Sequence, residues 1–287
     1  MCNGEIVPRA PRVETLVELS HRVSSGGALV LTLLLLVCAL RTYPRGHRVR
    51  RGAAATTMLM IAEALIGAGL VLFALVAHDA SLKRALSMSL HLMNTFLLLA
   101  SAALTAWWAS GGRAMTLRGQ RAVVLALGLP LAAMLAVGAS GAVAALGDTL
   151  FPASSLAGGF AQDFAPSAHV FVRLRAVHPI LAALTAGGIV IATGLVRALR
   201  PTREVRVLSR TAAALATLQV AAGLLDLLTR APVAMQLVHL ALADLVWVAL
   251  VLTGAAALAD TPTPQVLGRD PLPPNPPTWD KFLSPGL

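Results

Sequence analysis

Glu18-Leu19-Ser20-His21-Arg22 is where the chain's chemistry is most concentrated, and three further histidines fall into line with it. His91, His178 and His239 each sit in a separate long apolar segment, near its start. Imidazole and charged groups are costly inside a bilayer and mark functional positions there. In each half of the chain two such segments carry one histidine apiece. A lone intramembrane histidine is more often a hydrogen-bonding residue than a ligand, but four repeated at one depth favour ligation. The pattern suits bis-imidazole binding of heme between helices, with His21 and His91 as axial iron ligands in one half and His178 and His239 in the other. Copper and zinc fit less well, because no Cys, Met-rich or carboxylate cluster completes a small-metal sphere.

Glu18 precedes His21 by three residues, on the same helical face. The residue three before His178 is Arg175, so the two sites are alike in ligation and different in chemistry. A carboxylate beside one heme can relay protons or stabilise a cationic intermediate at the porphyrin edge. Equally, Glu18 can be an interfacial acid near a helix N-terminus, contributing about 1 kcal/mol or less. Arg22, Arg173 and Arg175 lie where they can pair with heme propionates or snorkel to headgroups. Glu63, Asp226 and Asp244 fall within apolar segments, and interhelical hydrogen bonds are the expected role of each. His47, His78 and His169 fall in loops, where solvated roles are expected.

The elements that must position these residues follow from composition. Of 287 residues, 57% are hydrophobic and 13% charged, and the mean hydropathy is +0.76. A membrane-crossing helix needs roughly 20 apolar residues. Seven stretches qualify, at about 19–40, 53–77, 86–109, 122–146, 171–196, 209–229 and 233–258. The expected fold is an all-α polytopic membrane protein.

The net charge of +10 is distributed by loop. Arg41, Arg45, Arg48, Arg50 and Arg51 share one, Arg113, Arg118 and Arg121 a second, and Arg197, Arg200, Arg203, Arg206 and Arg210 a third. The alternate loops hold Lys83, Arg84 and Arg230, and the stretch 147–170 has no Lys or Arg. That asymmetry predicts a cytoplasmic side for the Arg-rich loops, an outer N-terminus and a cytoplasmic C-terminus in the plasma (inner) membrane. The charge therefore reads as topology facing membrane lipid rather than as nucleic-acid binding. Residues 1–17 lack the apolar core of a cleavable signal, yet Arg9 and Arg12 would have to cross the membrane, so a further helix upstream is expected. Cys38 reads as a small core residue. Cys2 lies on the oxidising side, a possible redox position without an outer partner in this chain.

The chain also repeats itself. Glu63 and Gly67 match Gln219 and Gly223 at an offset of 156, His21 matches His178 at 157, and His91 matches His239 at 148. Two pseudo-symmetric helical bundles follow. The first half shows three spans and the second four, so the repeat also points to a missing first helix. The expected domains are an arm at 1–17, an N-terminal bundle at 18–110, a cytoplasmic loop at 111–121, a C-terminal four-helix bundle at 122–258 and a Pro-rich cytoplasmic tail at 259–287. The glycines at 67, 69, 138, 141, 187, 188 and 223 are expected to let helices approach closely.

Taken together, these stretches resemble the heme A synthase family (CtaA type). The resemblance rests on Cys-Asn-Gly at 2–4, Glu-Leu-Ser-His-Arg at 18–22, Leu-His-Leu around His91, Val-His-Pro around His178, and Gln-Leu-Val-His-Leu-Ala-Leu-Ala-Asp-Leu-Val-Trp at 236–247. It implies eight helices in two four-helix bundles and oxidation of a heme O methyl group to the formyl group of heme A. His21 and His91 would then bind the substrate heme, with Glu18 as catalytic carboxylate, while His178 and His239 hold a permanent heme b. A heme O synthase and a terminal oxidase are the implied partners. The chain departs from the family in lacking the first helix and the cysteine preceding Cys2, in having no cysteine in the second outer loop, and in placing Pro179 after His178. Two other functions compete: a di-heme b-type cytochrome that carries electrons without modifying heme, and a transporter built on the repeat. The electron donor, the source of the oxygen atom and association into a homo-oligomer stay open at this level.

Overall fold

Inside hydrocarbon a backbone can satisfy its polar groups only internally, so apolar runs of this length must close into helices. The computed structural model describes residues 13–76 and 79–259. Among them the helices are α1 (Val13–Thr42), α2 (Arg48–Leu72), α3 (Leu82–Ala109), α4 (Arg121–Leu150), α5 (Leu156–Asp163), α6 (Val170–Arg175), α7 (Val177–Leu199), α8 (Arg203–Leu228) and α9 (Val233–Ala257). Seven stretches are long and apolar enough to cross a membrane, α6 and α7 together making one. The expected all-α multi-pass architecture is the one observed. Cys2, His78, the arm before Val13 and the Pro-rich tail after Ala259 lie outside the described residues.

The second half closes into a ring. Helix α4 packs on α7, α7 on α8, α8 on α9, and α9 returns to α4, which leaves α7 and α9 diagonal to one another. In the first half α1 packs on α2 and α2 on α3, and α3 then turns its other side to α4 and α9. Phe96, Met134, Ile189, Ala212, Val246, Trp247 and Leu250 form the largest core where the halves meet. There the Trp247 ring stacks on Phe96 at 5.0 Å, and its indole N–H donates to the Phe96 carbonyl at 2.6 Å.

The repeat extends to the helix ends. Leu75 N–H donates to the Leu70 carbonyl and Ala74 N–H to that of Val71; Ala231 and Arg230 do the same to Asp226 and Leu227. Each pair of bonds is a Schellman closure, whose left-handed residue is usually glycine. Here it is Ala74 (φ 55°) in one half and Arg230 (φ 63°) in the other, again 156 residues apart.

Three boundaries differ from the sequence expectation. The second span stops at Leu72 because of that closure, not near residue 77. The stretch 147–170 is not an open loop: α4 runs to Leu150, and Ser155 caps α5 through a bond from Gly158 N–H at 3.0 Å. The fifth span is broken at Ala176, so α7 starts afresh at Val177 with Pro179 in its first turn, where a missing N–H costs nothing.

Candidate functional site

The chain's axial-ligand candidates sit at one end of the bundle, opposite the Arg-rich loops. In the second half, the diagonal placement of α7 and α9 turns His178 and His239 toward each other, with ring centroids 6.4 Å apart and planes at 85°. Both are half-buried. Helix α4 braces His178, whose Nδ1 lies 3.0 Å from the Ser140 hydroxyl. Gln219 on α8 reaches His239, with Nε2 to Nε2 at 3.2 Å. Glycines clear the space for both rings. A Cβ on Gly141 would stand 3.0 Å from His178 Cε1, and one on Gly223 would stand 2.8 Å from His239 Cε1. These two glycines are therefore required by the imidazoles, beyond general close packing, whereas Gly187 and Gly188 face open space.

Two imidazoles on one iron, each bonded at about 2 Å with the nitrogen roughly 1.1 Å from its ring centre, have centroids about 6.3 Å apart. The second-half pair matches that spacing. His239 Nδ1, Gln219 Oε1 and Asp244 Oδ1 are buried there without hydrogen-bond partners. Buried polar atoms without partners are rare in native structures and call for a ligand or water. Among the described residues no group of three or more His, Cys, Asp or Glu is set to hold a bare metal ion. Two facing imidazoles at this spacing are a donor set that would suit a heme iron.

The first half is arranged differently. His91 Nδ1 lies 3.1 Å from Glu63 Oε1. Asn94 Nδ2 donates to Glu63 at 2.6 Å and to the Leu59 carbonyl at 3.0 Å, and the Thr95 hydroxyl donates to Glu63 as well. A Cβ on Gly67 would meet His91 Cε1 only at 3.8 Å. His21 is exposed, and among the described residues its ring has no hydrogen bond, ion pair or ring contact. The structure thus brings His178 and His239 together and shows no such partner for His21. Glu18 pairs with Arg22 at 2.5 Å, with both side chains close to half exposed.

Several expectations are corrected. Arg175 neither reaches outward nor stands free: it bonds Asp148 at 2.9 Å and Asp163 at 2.5 Å and 2.9 Å, tying α4 and α5 to α6. Arg173 donates to the Pro166 carbonyl. Glu63 makes the expected interhelical bonds, but Asp226 Oδ1 and Asp244 Oδ1 are buried without partners. Cys38 faces outward instead of filling the core. His47 and His169 are structural caps: Nδ1 of each accepts the N–H two residues on, and the rings stack on Tyr43 and Phe151. Sequence reasoning passed over Ser140, Asn94 and Thr95, whose signal was a polar side chain within an otherwise apolar span.

The COX15-CtaA family, described as cytochrome oxidase assembly protein, matches residues 7–251. The chain belongs to this family. A Thermus thermophilus protein named protoheme IX farnesyltransferase is 48% identical over 257 residues, covering 90% of this chain and 42% of that protein. The heme A synthase of Bacillus mycoides is 37% identical over 73 residues, covering 25% of this chain and 24% of that one. The same figures hold for the heme A synthase of Bacillus anthracis. The chain thus spans less than half the length of the first relative and about a quarter of the other two. No solved structure matches.

Proposed function

We propose that this cytochrome oxidase assembly protein is a heme A synthase, which oxidises a methyl group of heme O to the formyl group of heme A. The observation that carries the reading is the facing pair His178 and His239 at the spacing two imidazoles take on one iron, in a chain of this family. When bound, a heme b there supplies one-electron chemistry. The protein's part is to hold the two imidazoles, with Ser140 and Gln219 orienting them and Gly141 and Gly223 leaving them room. His91 and His21 take the substrate heme in the first half, and Glu18, one turn from His21, is its carboxylate. Apolar faces that include Leu65, Leu129 and Ile191, each more than 65% exposed, meet membrane lipid. The Arg-rich loops lie on the cytoplasmic side of the plasma (inner) membrane.

The farnesyltransferase name belongs to a protein of which this chain covers 42%. Farnesylation of protoheme IX yields heme O, so that named reaction and the one proposed here are consecutive. A heme O synthase as supplier and a terminal oxidase as recipient fit this order.

One observation favours a second reading, a di-heme b-type cytochrome: Glu18 is exposed and occupied by Arg22. The deciding experiment is co-expression of the chain with a heme O synthase in a host that makes no heme A, followed by heme extraction and chromatography. Heme A in the extract is the expected result. Bound heme B and heme O with no heme A would overturn the synthase reading in favour of the cytochrome.

A further inference from the structure

The two halves hold one histidine each in matching positions and treat it with different electrostatics. His91 and His239 are equivalent by the repeat, as are Gly67 and Gly223 beside them, and Glu63 and Gln219. The structure keeps each side chain beside its histidine, though on different ring nitrogens: Glu63 Oε1 lies 3.1 Å from His91 Nδ1, and Gln219 Nε2 lies 3.2 Å from His239 Nε2. One position therefore carries a carboxylate against an imidazole and its counterpart carries a neutral amide. The carboxylate's hydrogen-bond partners on α3 are both donors. Asn94 and Thr95 donate to it from α3, and His91 Nδ1 stands 3.1 Å from its Oε1. The repeat counterparts of those two donors are Leu242 and Ala243, which leave the Gln219 carbonyl without a partner.

We propose that Glu63 is a positioning residue for His91 that lowers the reduction potential of the first-half heme below that of the second-half heme. The proposal rests on the reading of His91 and His239 as iron ligands. A carboxylate that takes the outer N–H of a ligating imidazole fixes its orientation and raises its basicity. Both that basicity and the nearby negative charge favour ferric over ferrous iron, and hydrogen bonding around an axial ligand is one of the levers that set heme potential. Gln219 can orient His239 but brings no charge. Glu63 acts through His91.

The test is a potentiometric titration of the purified full-length, heme-loaded protein at one fixed pH, followed in the visible absorption bands, with heme stoichiometry measured in parallel. Two waves are expected, and His239→Ala removes the upper one. Glu63→Gln should raise the lower wave and leave the upper unmoved; Gln219→Glu should lower the upper wave and leave the lower unmoved. A purely structural role would reduce heme content without displacing a wave. A lower wave that stays in place in Glu63→Gln with full heme content overturns the proposal alone. A protein that binds no heme through His91 overturns the proposal together with the two-site reading, and the stoichiometry tells these outcomes apart.

Discussion

The two halves of this protein share a backbone plan and differ in how completely their histidines are enclosed. Both end the helix before their last span in a Schellman closure with a non-glycine residue in the left-handed region, Ala74 in one and Arg230 in the other. Both set a glycine against the histidine of the following span. In the second half, though, four helices close a ring, so that His178 and His239 meet across its diagonal. In the first half, three helices stand in a row: His91 is tied to Glu63, while His21 is exposed. The difference teaches that a repeated sequence fixes depth and helix identity, whereas two histidines meet only where the helices carrying them lie diagonally across a closed ring.

The largest test of that comparison is removal of the proposed heme ligands. His178→Ala or His239→Ala should each eliminate the second-half heme. His91→Ala should leave that heme intact and affect only the first-half site. Pyridine hemochrome quantitation per protein reads the result. If His91→Ala removes both hemes, the halves are not independent sites.

Next in size is Arg175, whose counterpart by the repeat is Glu18. Its guanidinium is 11% exposed and holds Asp148 and Asp163 together. Arg175→Met would leave two carboxylates facing each other without a cation, and breaking a buried pair this way costs about 3 kcal/mol. The expected outcome is a lower melting temperature and early proteolysis in 151–169, with His91 and its neighbours unaffected.

The glycines give a finer contrast. Gly223→Ala and Gly141→Ala drive a methyl group to 2.8 Å and 3.0 Å from a histidine ring, and overpacking of this kind costs about 1–3 kcal/mol. Gly67→Ala meets His91 at 3.8 Å, an ordinary contact. Heme retention during thermal melts should therefore fall in the first two variants and hold in the third. Equal losses in all three would mean that the first half encloses its histidine as tightly as the second.

Hydropathy and the positions of Glu63, Gly67, His91 and their repeats were enough to read the seven spans and the matched histidines from sequence, because both depend on local composition and period. The outcome at Arg175 was not legible. Its partners Asp148 and Asp163 lie 27 and 12 residues away, and a stretch without Lys or Arg gives no sign that it folds back as α5. Nor did the glycine signal separate Gly141 and Gly223 from Gly187 and Gly188, since only packing decides which of them face a ring. Asp226 and Asp244 show the opposite failure: a rule requiring partners was sound in general, and the protein alone does not supply them.

Glu18 is expected to show the smallest effect on stability, and this sets it against Glu63. Both are carboxylates in the first half beside a proposed ligand, Glu18 a turn before His21 on α1 and Glu63 on α2 across from His91 on α3. Glu63 is 15% exposed and accepts from Asn94 and Thr95, whereas Glu18 is 47% exposed and holds one partner, Arg22, a turn further on. An exposed pair four residues apart on a helix contributes about 0.5 kcal/mol or less. Glu18→Gln should therefore leave the melting curve, the heme content and the His178–His239 site unchanged. If the first half is where heme O is oxidised, the same variant should nonetheless lose heme A formation in the co-expression assay while heme O accumulates. Undiminished heme A yield would make Glu18 an interfacial acid, as its pairing with Arg22 by itself implies, and would leave Glu63 as the carboxylate through which the first half differs from the second.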